Sequence, residues 1–176
     1  MRIVVLTAAL ALSVLPALAQ SAPAAKATAT KPSAKPAFDA RDPDALVSLL
    51  AAMDAKAEVT GKTDSSVALK VATPGGGFGA QFVDCDAKGK SCKGLAFSTG
   101  FERKGATLAQ LNIFNRSQIA CRGFLTDDGK SHVMYSAMLT GRLTSEEMRQ
   151  HIGVWQGCLG LFGQFNADPV GYISRN

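Results

Sequence analysis

The chain opens with a leader, and that leader sets the chemical conditions in which everything after it must fold. Met1 and Arg2 precede an apolar run, Ile3 to Leu15. Pro16-Ala17-Leu18-Ala19 then supplies small residues at the spacing of a signal-peptidase site. The run is too short for a permanent bilayer span. The expectation is a signal peptide over 1–19, cleavage after Ala19, and Gln20 as the new N-terminus. The mature chain is then periplasmic, with no transmembrane segment. Its four cysteines, Cys85, Cys92, Cys121 and Cys158, meet a compartment in which disulfides persist.

Residues 20–37 hold nothing large to bury, only Ala, Lys, Pro, Ser and Thr after Gln20, so a disordered linker is expected there. Arg2 leaves with the leader, so 19 basic residues become 18 against 14 acidic, a net charge of +4. Lys26, Lys31 and Lys35 carry most of that excess in the linker. From Phe38 onward 15 basic residues face 14 acidic ones. A nucleic-acid binder concentrates its basic residues on the folded face, and this near-balance excludes that class. The length from Phe38 suits a single domain, taken as 38–170, with one core.

Asp42-Pro43 starts a helix, since Asp accepts from free N–H groups and Pro suits the first position. Leu46, Leu49, Leu50 and Met53 continue it to about Ala55. Glu58–Lys62 and Val67–Ala72 follow as short strands, and Thr73-Pro74-Gly75-Gly76-Gly77 as a flexible loop. Phe78–Cys85 and Cys92–Phe101 form a hairpin. Thr107 caps a helix whose apolar positions are Leu108, Leu111, Ile113 and Phe114. A second hairpin, Ile119–Leu125 and His132–Leu139, turns at Asp127-Asp128-Gly129, a favoured two-residue turn pair. Thr144-Ser145-Glu146-Glu147 opens the last helix, with an inward stripe of Met148, Ile152, Trp155, Leu159 and Phe162. The order is α-β-β-β-β-α-β-β-α. Its tight turns predict an α+β fold, an antiparallel sheet with helices packed on one face.

Cys85 and Cys92 flank a six-residue turn and suit a cross-strand bridge if they face each other. Two sulfurs without a nearby His or further Cys make no zinc site. Cys121 and Cys158 are left either to bridge or to remain buried thiols acting as small hydrophobes; the compartment favours the bridge. Four cysteines allow three pairings. Neither pair has the Cys-x-x-Cys context of a redox catalyst.

Other motif fragments fail on chemistry. Gly75-x-Gly77-x-x-Ala80 leads into a strand, not into a phosphate-binding helix. Gly89-Lys90-Ser91 lacks the glycine a P-loop needs, having Asp84 instead. Asp84 and Asp86 begin like a calcium loop, but Lys88 and Leu95 stand where ligands are required. Met134, Met138, Met148 and His151 could in principle form a soft-metal site, yet methionine at such spacing is ordinary core filling. Ser131 and His132 are sequence neighbours at a turn and point apart. The expectation is no catalytic residues, no metal, no cofactor and no enzyme.

The polar positions with most to offer are Asn112, Asn115 and Arg122. Asn115 near a helix end can bond loop backbone. Arg122 alternates with Cys121, so one of the two faces the helices; a buried Arg122 needs a partner such as Glu102 or Asp127. Outward, it is the type of residue that anchors protein–protein contacts.

Leu111-Asn112-Ile113-Phe114-Asn115-Arg116 followed by Arg122-Gly123-Phe124-Leu125-Thr126-Asp127-Asp128-Gly129 resembles the YbjN family of bacterial sensory-transduction regulators. The Phe82…Cys85…Cys92…Leu95…Phe97-Ser98 hairpin and the Trp155 helix fit the same pattern, over about Phe38 to Phe165. Cys121 and Cys158 depart from it. The resemblance implies a fold like that of class I type III secretion chaperones, small dimeric protein-binding modules, and implies no catalytic residues. The functional expectation is a non-enzymatic adaptor or chaperone-like module in the cell envelope. Its partner is an envelope protein or a second copy of itself. The alternative is a periplasmic small-ligand sensor, using the open sheet face or the Gly75–Gly77 loop.

Overall fold

A computed structural model describes residues 38–102 and 105–175. The leader and linker expected over 1–37 lie outside the described residues. Helix α1 spans Pro43–Ala51. It starts where expected, with the Asp42 carboxylate accepting from the Asp44 N–H at 3.0 Å, and buries Leu46, Leu49 and Leu50. It stops short of Ala55 because Asp54 turns left-handed (φ 57°), a conformation Asp tolerates. The Ala55 N–H then returns to the Leu50 carbonyl.

Six strands follow: β1 Lys56–Lys62, β2 Ser66–Thr73, β3 Gly76–Val83, β4 Gly94–Phe101, β5 Arg122–Leu125 and β6 Ser131–Met138. They form one antiparallel sheet in the order β1-β2-β3-β4-β6-β5. The α+β class and the helices-on-one-face arrangement therefore hold, with local differences. Thr73–Gly77 is no flexible loop: the ladder runs on to Thr73↔Gly76, and only Pro74 and Gly75 turn the chain. Thr73 Oγ1 donates to the Gly76 carbonyl at 2.8 Å and pins that turn.

The β3–β4 ladder ends at Val83↔Gly94, because Asp84 and Ser91 adopt positive φ and leave extended geometry. Cys85 and Cys92 therefore sit in the connecting loop, not on the strands, with sulfurs at bonding distance and Cα atoms 3.8 Å apart. That loop folds back on α1. The Cys92 N–H donates to the Arg41 carbonyl at 3.0 Å, and Lys90 Nζ reaches Asp42 at 2.6 Å and Asp44 at 3.0 Å.

Helix α2, Leu108–Ser117, carries a full capping box between Thr107 and Gln110. Its inward residues are Leu111 and Phe114; Leu108 is exposed. The next strand begins at Arg122 rather than Ile119, since ladder partners start at Arg122↔Met134; Ile119 is 98% exposed in the preceding loop. The β5–β6 connection is a turn closed by Gly129 N–H to Thr126 O, with Gly129 left-handed (φ 77°). That is the three-residue loop with a glycine bulge, not the two-residue turn expected from Asp-Gly.

Helix α3, Ser145–Ala167, starts from a Thr144/Glu147 capping box and buries Met148, Ile152, Trp155, Cys158, Phe162 and Phe165. Backbone and hydroxyl bonds from Thr144 hold the Glu147 carboxyl below its usual range. A further helix, α4, Pro169–Arg175, was not anticipated; its buried Tyr172 packs on Phe114 and Phe165. Among the described residues no helix is long and apolar enough to cross a membrane.

The core lies between α1–α3 and the inner sheet face, built from Val67, Leu69, Val71, Phe78, Ala80, Phe82, Leu95, Phe97 and Val133. The Trp155 indole rests on the Phe78 and Phe97 rings at 5.6 and 6.0 Å. At the other end Phe114, Phe162 and Phe165 interlock at 4.8 to 5.6 Å. Gly123 on β5 is a close-approach position: a Cβ there would meet Phe162 at 2.5 Å and Leu111 at 2.7 Å.

Gly123→Ala is expected to destabilise the domain by about 1–3 kcal/mol through this overpacking, read as a lower urea midpoint with unchanged slope. Cys121 and Cys158 also lie at bonding distance, their Cα atoms 5.5 Å apart and 37 residues apart in sequence, against 7 for the other pair. Loop-closure entropy gives about 4 kcal/mol for the long ring and about 2.5 for the short one. Replacing Cys121 and Cys158 with alanine should therefore lower the melting temperature more than replacing Cys85 and Cys92.

Candidate functional site

The helices cover one face of the sheet and, among the described residues, leave the other bare. Ladder partners give its rows directly. One runs Glu58, Lys70, Gly79, Ser98, Met134, Arg122 from edge to edge. The next holds Ala68, Gln81, Ala96 and Ser136, and beyond it Ser66, Val83, Gly94 and Met138. Apart from Gln81, the centre of this face is Ala, Gly and Ser. Larger apolar side chains stand at its margins: Val83, Phe124 and Met138 are all exposed, Met138 at 75%. Phe124 stacks on His132 at 5.2 Å. The charges sit toward the edges, where Lys56 pairs with Glu58 at 2.7 Å. That bond lowers the Glu58 carboxyl and raises the Lys56 ammonium.

The three polar positions expected to bind fall on different parts of the molecule. Arg122 lies on the bare face at the β5 edge. Its guanidinium donates to the Gln118 and Cys121 carbonyls at 2.9 and 2.7 Å, and Cys121 is the one of the two that turns inward. Neither Glu102 nor Asp127 pairs with it; Glu102 pairs with Lys130 at 2.9 Å. Asn115 turns the other way. Its amide donates to the Gly123 carbonyl at 3.0 Å and its oxygen accepts the Gly123 N–H at 2.7 Å, so it tethers α2 to β5. Asn112 is exposed on α2, one turn before Asn115. The fold does not gather these three into one site.

A second surface is concave. Between α1, α3 and the β2–β3 turn runs a half-open groove of about 550 Å³. Leu50 and Met53 form one wall, Ile152 and Leu159 the other, Phe78 and Phe101 the floor, and Gly75–Gly77 one end. Gln156 projects from the α3 wall. Only the glycine loop was flagged from sequence; Ile152 and Leu159 stood in the helical stripe but looked like core. Four separate segments build the groove, so no local pattern marks it.

Elsewhere, Tyr135 Oη and His151 Nδ1 share a hydrogen bond of 2.5 Å under the sheet, and burial raises the Tyr135 phenol. No group of three or more His, Cys, Asp or Glu is placed to hold a metal among the described residues.

The family model for YbjN, described as "Putative bacterial sensory transduction regulator", matches residues 42–159. No curated protein and no solved structure gives a significant match.

Proposed function

The chain belongs to the YbjN family, and from that footing we propose that it is an exported regulatory module that binds a protein partner on the bare face of its sheet. The observation that carries this reading is the composition of that face. Ala68, Gly79, Ala96, Ser98 and Ser136 keep its centre low and uncharged, while Val83, Phe124 and Met138 stand up around it. A partner can approach the backbone closely at the centre and bury apolar side chains at the rim, the pattern of an interface core.

The module acts by binding rather than catalysis. The Ser131 hydroxyl is fully buried, and the neighbouring His132 ring lies on the opposite face against Phe124, so no nucleophile meets a base there. Export is supported by two cysteine pairs at bonding distance, since such bonds persist in oxidising compartments. Intact-mass analysis of protein recovered from the envelope is expected to show a chain beginning at Gln20; a chain retaining Met1 would contradict cleavage.

A photo-cross-linking residue at Ala96, at the centre of the face, should capture one envelope protein in the producing cell. The same residue at Ser48, on the outer side of α1, should not. Ser98→Arg should abolish the Ala96 adduct. Equal labelling from both positions would overturn the assignment of the face. An Ala96 adduct containing only this chain would identify the partner as a second copy.

A further inference from the structure

The groove beneath the β2–β3 turn is a separate surface, and its chemistry is narrow enough to name an occupant. Among the described residues its lining contains no Lys, Arg, His, Asp or Glu. Its two threonine hydroxyl protons are committed to the turn itself: Thr73 donates to the Gly76 carbonyl at 2.8 Å and Thr99 to the Gly77 carbonyl at 3.2 Å. That leaves the Gln156 carboxamide as the side chain in the groove with donor and acceptor both open. Leu50, Phe78, Phe101 and Leu159 supply apolar walls. At about 550 Å³ the space falls within the range of small-molecule sites.

The geometry points to a binding site for an uncharged, largely apolar small molecule carrying a single amide-, carbonyl- or hydroxyl-type group for Gln156. A charged ligand loses its hydration and finds no counter-charge, a heavy penalty in an apolar wall. The site lies on the helix side of β3 and β4, across the sheet from the proposed partner surface, and goes beyond that reading without depending on it.

The fold also supplies a reporter. Trp155 is the only tryptophan. It is fully buried, and its ring lies 5.6 Å from Phe78 on the groove floor. An occupant pressing on Phe78 acts one ring away from the indole.

Two probes with the same aromatic framework and different charge make the test. N-phenyl-1-naphthylamine is neutral, and 8-anilinonaphthalene-1-sulfonate is anionic. Titrated into the mature protein, the neutral probe should bind saturably at one equivalent and change Trp155 emission. The sulfonate should bind at least about tenfold more weakly, a difference of about 1.4 kcal/mol. Leu159→Lys, which adds a cation to the wall, should reverse that preference. Gln156→Leu should weaken the neutral arylamine probe only modestly, since the apolar walls carry most of its binding. Met53→Lys on the opposite wall repeats the charge test should Leu159→Lys fail to fold. Ser98→Arg on the bare face should leave the probe unaffected, so loss of partner binding and loss of ligand binding are separable. Absence of saturable binding would overturn the proposal. So would binding that is equal for both probes, or unchanged by both lysine variants and lost with Ser98→Arg.

Discussion

The long helix α3 lies along the sheet on a line of aromatic rings, and the architecture depends on that contact. Trp155 sits on Phe78 and Phe97, and about two turns later Phe162 meets Phe101 and Phe114. Such pairs add about 0.5–1.5 kcal/mol each beyond the area they bury. Because α3 takes the middle of the inner face, α1 and α2 are left to cover its two ends. The space between α1 and α3 is the groove. With the helices committed to one side, the described residues put no second layer on the outer face of the sheet.

Much of this was legible in local chemistry. Asp42-Pro43, Thr107 with Gln110 and Thr144 with Glu147 are helix starts written in adjacent residues, and all three form as caps. The alternation of Phe78, Ala80 and Phe82 sets which side of β3 faces the core, and the burial pattern follows it. What failed to show were features that local pattern does not encode. Positive φ at Asp84 and Ser91 ends a ladder that hydrophobic alternation would carry on to the cysteines. β6 lies inside β5 because β4 pairs with it across the whole of α2, a non-local choice. α4 has too few turns for a visible period and is held by one buried tyrosine.

The candidate surfaces were legible to a lesser degree, for the same reason. Asn115 could be recognised as a backbone-bonding residue, but not that both its amide groups would close on Gly123. Arg122 was legible only as one of two alternating residues; which one turned outward depended on Cys121 meeting Cys158. The bare face is a property of small residues on different strands in register, and the groove draws on four segments. Alternation nevertheless links the two surfaces. Along β3, Phe78 belongs to the groove floor while Gly79 and Gln81 belong to the other side of the sheet, so a single strand contributes to both.

The two cysteine pairs at bonding distance bear unequally on the groove walls. Cys158, next to Leu159, lies at bonding distance from Cys121 in the segment entering β5, which ties α3 to the sheet in the middle of its length. The nine-residue α1 has no such staple. It is held by its apolar face, by Cys92 N–H on the Arg41 carbonyl, and by Lys90 bridging Asp42 and Asp44, an exposed ion pair that salt weakens. The two walls of the groove are thus fastened by different chemistry: α1 by packing, a backbone bond and ion pairs that salt screens, α3 by a sulfur pair whose closeness is indifferent to ionic strength.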